Sequence, residues 1–299
     1  MIAQLGLADW ERVEPEEDLD LIGPIATAAL RQVGPLWPPH AYVMAPLLEA
    51  ARDGVFLLLT ALEDFFTWWR WAPLVSVVAR HRRPTARDAA LLSTMLMPVA
   101  LRVRAARRRG TPPPMPWLRP AAERRALALL RARQAAVPVR CNRAMTAQST
   151  HRCWTGAAGT FRALGEALGT TTDQPQCRPG VVESFAGACG WRGFADLRGI
   201  LQQLAGDLLP GDLLVERSAP DPIGVFFGAR SREFATSWSG GGLDESIVDV
   251  ARLRQTWLSD RPDPRTACLL QYAWLNEQLA GASCPSTTTT ELILTHQHN

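Results

Sequence analysis

The sequence predicts a predominantly α-helical α+β fold, a compact single domain with a few short strands. Apolar residues recur three and four positions apart in one segment after another, the spacing of a helix face, whereas runs with strand character are few and short. Hydrophobic residues make up 47% of the 299-residue chain, enough to bury a substantial core. No apolar run approaches the ~20 residues needed to span a bilayer. The run at 55–62 stops at Glu63 and Asp64, and that at 89–101 is also short.

Taken in order, residues 1–20 form an acidic segment in which Asp9, Glu11, Glu14, Glu16, Glu17, Asp18 and Asp20 face Arg12 alone, the opposite of a secretory leader. A globular region is expected over 21–280. Leu21, Ile22, Ile25, Ala28 and Leu30 mark a short helix that stops near Gly34, and Pro35, Pro38 and Pro39 then force an extended turn. Val43, Leu47, Leu48 and Ala51 predict a helix over 41–53, closed by Gly54. The continuous apolar run at 55–60 suits either a buried strand or a helix extension. Ala89, Leu92, Met95, Leu96 and Val99 give a helical stripe over 87–104, with Thr85 as its cap and Pro98 placed to kink or shorten it. A Pro-rich connector follows near 110–120 and is the best candidate boundary.

Beyond it, 121–136 is an Arg/Ala/Leu helix, and 153–168 is a helix with Phe161, Leu164 and Leu168 on one side, ended by Gly169 and a turn over 170–176. Residues 194–209 repeat the helical pattern, and 213–216 with 223–227 suit a hairpin. Helices are expected over 244–257 and 266–279, followed by a disordered Ser/Thr tail at 281–299. There is no internal repeat.

Composition removes several chemistries. All 32 basic residues are arginine, so the chain has no Schiff-base lysine, P-loop lysine or lysine general base. The surplus of Arg, Ala, Gly and Pro indicates a G+C-rich genome; absence of lysine also leaves no side-chain amine for ubiquitin. Six scattered cysteines (Cys141, Cys153, Cys177, Cys189, Cys268, Cys284) without a CxxC pair suit a reducing cytosol, and no zinc-ligand spacing occurs. No cofactor or metal is expected. Ten arginines and one acid, Glu123, occupy 102–133. That stretch suits a solvated helix face; aromatic interleaving is limited to Trp117, so no nucleic acid is expected as a partner.

Two segments carry candidate chemistry. His151, Arg152, Cys153 and Trp154 open a helix, where the N-terminus favours a thiolate, as in papain-like and transglutaminase-like enzymes. The only downstream histidines lie in the tail, so no catalytic residue is assigned. Glu63 and Asp64 form half of a terpene-cyclase-like magnesium motif, without the second half, and Gly240, Gly241 and Gly242 read as a flexible loop. The strongest candidate for binding is Phe65, Phe66, Trp68, Trp69 and Trp71: five aromatics in seven positions exceed what one face buries, so a partner-binding surface is expected there.

Ala41, Tyr42 and Val43, then Leu59 through Asp64, then Pro73, Leu74 and Val75, then Arg87 and Asp88 resemble, in order and spacing, the first half of the herpesvirus cytoplasmic envelopment protein 1 family. Trp257, Leu258, Ser259, Asp260, Arg261 and Pro262, followed by Thr266 and Leu269, resemble its closing run. The resemblance implies a non-enzymatic tegument protein with a mainly helical single domain. It implies a role in secondary envelopment and virion egress at host cytoplasmic and trans-Golgi membranes. The implied partner is a palmitoylated tegument protein similar to ESCRT-III proteins, whose lipid supplies membrane affinity. The alternatives are a cysteine-dependent acyl-transfer enzyme using Cys153 and an arginine-rich nucleic-acid-binding accessory protein.

Overall fold

The computed structural model describes residues 19–58, 83–98, 100–102, 104, 114–136, 138, 140–190 and 226–282. Helices dominate these residues and the only sheet among them has two strands, so the chain is a mainly helical α+β protein. None of the described helices is long and apolar enough to cross a membrane.

Helix α1 (Pro24–Val33) starts at a proline, whose missing N–H costs nothing in the first turn, and ends at Gly34 with φ of 80°. The chain then passes the cis Trp37–Pro38 bond into a 3₁₀ turn (Ala41–Met44) and helix α2 (Ala45–Ala50). The single helix expected over 41–53 is therefore divided. Pro46 is the reason: it lacks an N–H and is tolerated only in the first turn, so the α-helix starts afresh at Ala45.

Strand β1 (Val55–Leu57) pairs in parallel with β2 (Thr171–Asp173), Val55 opposite Thr171 and Leu57 opposite Asp173. The apolar run at 55–60 suggested burial, yet Val55 and Leu57 are 63% and 57% exposed; only Leu58, beyond the strand, is buried among the described part of the run. The polar text at 170–176, read as a turn, contains β2 because Thr171 N–H bonds to Gly54 O (3.0 Å) and Leu58 N–H to Asp173 O (2.8 Å).

Helix α3 (Ala86–Leu96) carries a capping box: Thr85 Oγ1 accepts from Asp88 N–H (3.3 Å), while the Asp88 carboxylate accepts from Thr85 N–H (2.7 Å). It ends two residues before Pro98, and helical backbone resumes at 100–102. The Pro-rich connector is partly interior: Met115 and Trp117 are buried, and Leu118 forms an antiparallel bridge to Val248. Residues 110–113 lie outside the described residues.

Helix α4 (Pro120–Ala136) leads to α5 (Cys141–Ser149) and α6 (Arg152–Leu168), the latter closed by Gly169 in the left-handed conformation. A 3₁₀ turn (Pro175–Cys177) leads into α7 (Pro179–Cys189). Helices α8 (Ala229–Ser237), α9 (Val250–Trp257) and α10 (Ala267–Ala282) complete the chain, α10 following a 3₁₀ turn (Pro264–Thr266). Helix α9 begins later than the pattern over 244–257 suggests, because the Asp249 side chain accepts from Arg252 N–H and caps it there. The glycine run is a tied turn rather than a loose loop: Asn276 Nδ2 donates to Gly242 O (2.7 Å), Trp238 Nε1 to Gly241 O (2.9 Å), and Gly240 and Gly242 both hold positive φ. The helix expected over 194–209, the hairpin over 213–227 up to Val225, the acidic segment to Asp18 and the tail from 283 lie outside the described residues.

The main core joins the two ends of this region. Leu21, Leu30, Tyr42 and Leu48 pack with Ala235, Trp238, Leu253, Trp257, Leu270 and Trp274, with Phe161 and Leu164 of α6 contributing. Asp20 is fully buried and accepts from Ile22 N–H (3.1 Å), from Ser231 N–H (2.9 Å) and from the Ser231 hydroxyl. Gln271 Nε2 donates to Leu21 O (3.0 Å) and Pro39 O (2.8 Å).

Candidate functional site

The aromatic residues Phe65, Phe66, Trp68, Trp69 and Trp71, and the Glu63–Asp64 pair, lie outside the described residues. The basic stretch does not present one uniform cationic face. Arg104, Arg124 and Arg125 are exposed, but Arg102 is buried at 4% exposure, with its Nε and Nη1 lacking hydrogen bonds among the described residues. Arg119 is tied to Glu245 O through Nε (3.1 Å), and Arg133 Nη2 lies 3.2 Å from His151 Nδ1.

His151 and Cys153 sit at the start of α6, as the sequence places them, but their chemistry is structural. His151 is the N-cap: its Nδ1 accepts from the Cys153 backbone N–H at 3.0 Å. The lone pair that a general base would use on the thiol is thus directed at the peptide. Burial, and secondarily the Arg133 charge, hold the imidazole below its ordinary pKa, which keeps that lone pair available for the cap. The Cys153 carbonyl accepts from Trp37 Nε1 at 2.9 Å, fixing the turn that carries the cis bond against α6. Among the described residues no histidine hydrogen-bonds to the Cys153 sulfur, and His40 is stacked on Phe226 with ring centroids 5.6 Å apart.

The most distinctive cluster of reactive side chains lies between α5 and α7. Cys141 opens α5 and Cys189 ends α7, both buried, with their sulfurs 3.3 Å apart. Met145, one turn along α5 from Cys141, brings its thioether 3.5 Å from the Cys189 sulfur. Cys189 also contacts the carbonyl of Ala186 at 3.4 Å. The positive end of α5 meets the negative end of α7, and Asn142 N–H bonds to Gly190 O at 3.0 Å. Between α5 and α7 runs an open groove of about 590 Å³, lined by Asn142, Arg143, Thr146, Glu183, Ala186 and Gly187 but by neither sulfur.

The thiols differ in acidity. The hydrogen bond between the two thiols holds Cys189 below its ordinary pKa and, followed by burial, pushes Cys141 up. Elsewhere burial pushes the Cys177 thiol up and that of Cys268 to about 11. The pair has no signature in the sequence. Cys141 and Met145 share a helix face four residues apart, but Cys189 arrives from a second helix with no motif to link them.

Compared with protein-family models, with curated proteins and with solved structures, the chain matches none.

Proposed function

We propose that this chain is a non-enzymatic tegument protein of a G+C-rich herpesvirus, acting in secondary envelopment and virion egress as a complex with a palmitoylated, ESCRT-III-like tegument partner. It would reside in the virion tegument and, in the host, in the cytoplasm and at Golgi membranes. What supports the reading is where its two blocks of family resemblance fall. Tyr42 from the first block and Trp257 from the last are within 1% of full burial and belong to one packed interior, with Leu269 against it; Thr266 of the last block is also fully buried. Such positions are constrained by packing, so a family likeness that includes them suits a shared fold, while Leu258, Asp260 and Arg261 of the closing run are exposed. The capping role of His151 is a second support, because it directs at the peptide the nitrogen that an acyl-transfer mechanism would use as the base for Cys153, and no other histidine among the described residues bonds to that sulfur.

In this reading the chain has no lipid of its own and reaches membranes through the partner, with Phe65, Phe66, Trp68, Trp69 and Trp71 as the partner-facing surface. Co-expression with the palmitoylated tegument protein of the same viral genome, followed by size-exclusion chromatography, tests it. The expected outcome is a co-eluting complex, with the chain aggregating when expressed alone. Replacing Trp68, Trp69 and Trp71 with Ala is expected to weaken the complex by about thirtyfold or more, the effect of losing ~2 kcal/mol at an aromatic hot spot. A monodisperse chain that ignores that partner would overturn the proposal.

A further inference from the structure

We propose that Cys141 and Cys189 form a peroxide-sensitive thiol pair that closes into a disulfide between the start of α5 and the end of α7. The sulfurs already touch at 3.3 Å, so bonding at ~2.0 Å requires an approach of only ~1.3 Å. The Asn142–Gly190 backbone hydrogen bond holds the two helix ends side by side, so little chain entropy is lost on closure. Cys153, Cys177 and Cys268 have no second sulfur in hydrogen-bonding contact among the described residues.

Exposure assigns the roles. Cys141 is 0% exposed and Cys189 7%. Cys189 also contacts the carbonyl of Ala186, a residue that lines the open groove. Cys189, the less buried of the two, is therefore the sulfur proposed to meet peroxide, and Cys141 the one that resolves it.

The chemistry balances with one peroxide. The Cys189 thiolate attacks a peroxide oxygen, the O–O bond breaks, and the departing hydroxide takes up a proton to become water, leaving Cys189 as a sulfenic acid. The Cys141 sulfur then attacks the Cys189 sulfur. The S–S bond forms, the S–OH bond breaks, and the hydroxide leaves with the Cys141 proton as a second water. Each sulfur loses one electron and the peroxide gains two. A thiol reductant reverses the link.

The test uses the full chain, reduced and then treated with hydrogen peroxide, unfolded in an alkylating agent without reductant, digested and mapped by mass spectrometry. The expected product links the Cys141 peptide to the Cys189 peptide with two hydrogens lost, while Cys153 stays alkylated. Cys153→Ser should give the same link. In Cys141→Ser the Cys189 sulfenic acid has no resolving thiol, so dimedone labelling at Cys189 should rise about tenfold over the unsubstituted chain. Because the map of the unsubstituted chain decides the matter, failure of a variant to fold leaves the test intact. Alkylation of both cysteines after peroxide, or a dominant disulfide that involves any other cysteine, would overturn the proposal.

Discussion

The main core and the α5–α7 pair are both buried, yet different chemistry holds each together. In the main core, residues 19–44 meet 226–282 through hydrogen bonds that span the chain: Asp20 to Ser231, Gln271 to Leu21 and Pro39. Trp238 and Trp257 pack within the same interior, ring centroids 4.8 Å apart and planes tilted by 50°. In the pair, Cys141, Ala144 and Met145 of α5 meet Val182, Phe185, Ala186 and Cys189 of α7, and none of these seven belongs to the main cluster. Their contacts span less of the chain, 48 residues between Cys141 and Cys189 against 211 between Asp20 and Ser231, and are largely apolar. A unit with its own thin cluster opens at lower free energy than a core that draws on both ends of the chain. The reactive sulfurs are therefore expected to lie in a part of the molecule that loosens without unfolding the rest.

The sharpest way to break that contrast is to truncate one aromatic ring in each region. Trp257→Ala removes a ring 1% exposed in the main core and is expected to cost ~3–5 kcal/mol, read as a lowered urea midpoint for the whole chain. Phe185→Ala removes a ring 3% exposed in the pair. Its loss should appear in native-state hydrogen exchange as faster exchange over 141–149 and 179–189, with α10 protected as before. If α10 exchange accelerates equally, the two regions are one cooperative unit and the contrast is gone.

A smaller effect tests whether the polar latch distinguishes the main core. Asp20→Ala leaves the Ile22 and Ser231 amides without their acceptor in a buried place, at an expected cost of ~1–3 kcal/mol by urea titration. Ser231→Ala, which removes only the hydroxyl donor, should cost less, and the double variant should fall short of the sum because the two share one interaction. The latch also explains Gly228: a Cβ there would lie 2.7 Å from an Asp20 carboxylate oxygen. Full additivity would mean that the contact contributes nothing specific.

These regions also divide what could be read from the sequence. The stripes of α1, α4, α6 and α10 were legible because the period of apolar residues reports directly on a helix face. Helices α5 and α7 were not expected, since Asn142, Thr146, Gly180 and Gly187 are weak helix formers and these segments are held by packing against each other. Strand β2 reads as polar turn text, and its pairing with β1 depends on a register set by Gly54 and Gly169, which no local pattern encodes. For the candidate site, the helix start at Cys153 was legible, whereas the use of His151 was not. A histidine two residues before a cysteine suits a base or a cap equally, and only the 3.0 Å bond from the Cys153 amide decides between them.

That cap supplies the smallest predicted effect, and it bears on how α6 joins the main core to the pair. The folded His151 pKa lies below its ordinary value, because burial and the Arg133 charge resist protonation. The unfolded chain therefore takes up a proton first as the pH falls through ~6.5. The stability from this group is present above that value and is lost on acidification toward the lower folded pKa. Protonation also converts Nδ1 from acceptor to donor, ending the bond from the Cys153 amide and setting two cations 3.2 Å apart. Thermal melts between pH 7.5 and 5.5 should show a modest loss in the unsubstituted chain that His151→Asn, a capping residue that does not titrate there, reduces. Cys153→Ser should leave the loss unchanged, because the ring bonds to the peptide and not to the sulfur. If the serine variant removes the pH dependence and the asparagine variant keeps it, the histidine is paired with the thiol, and the acyl-transfer alternative regains the base it needs.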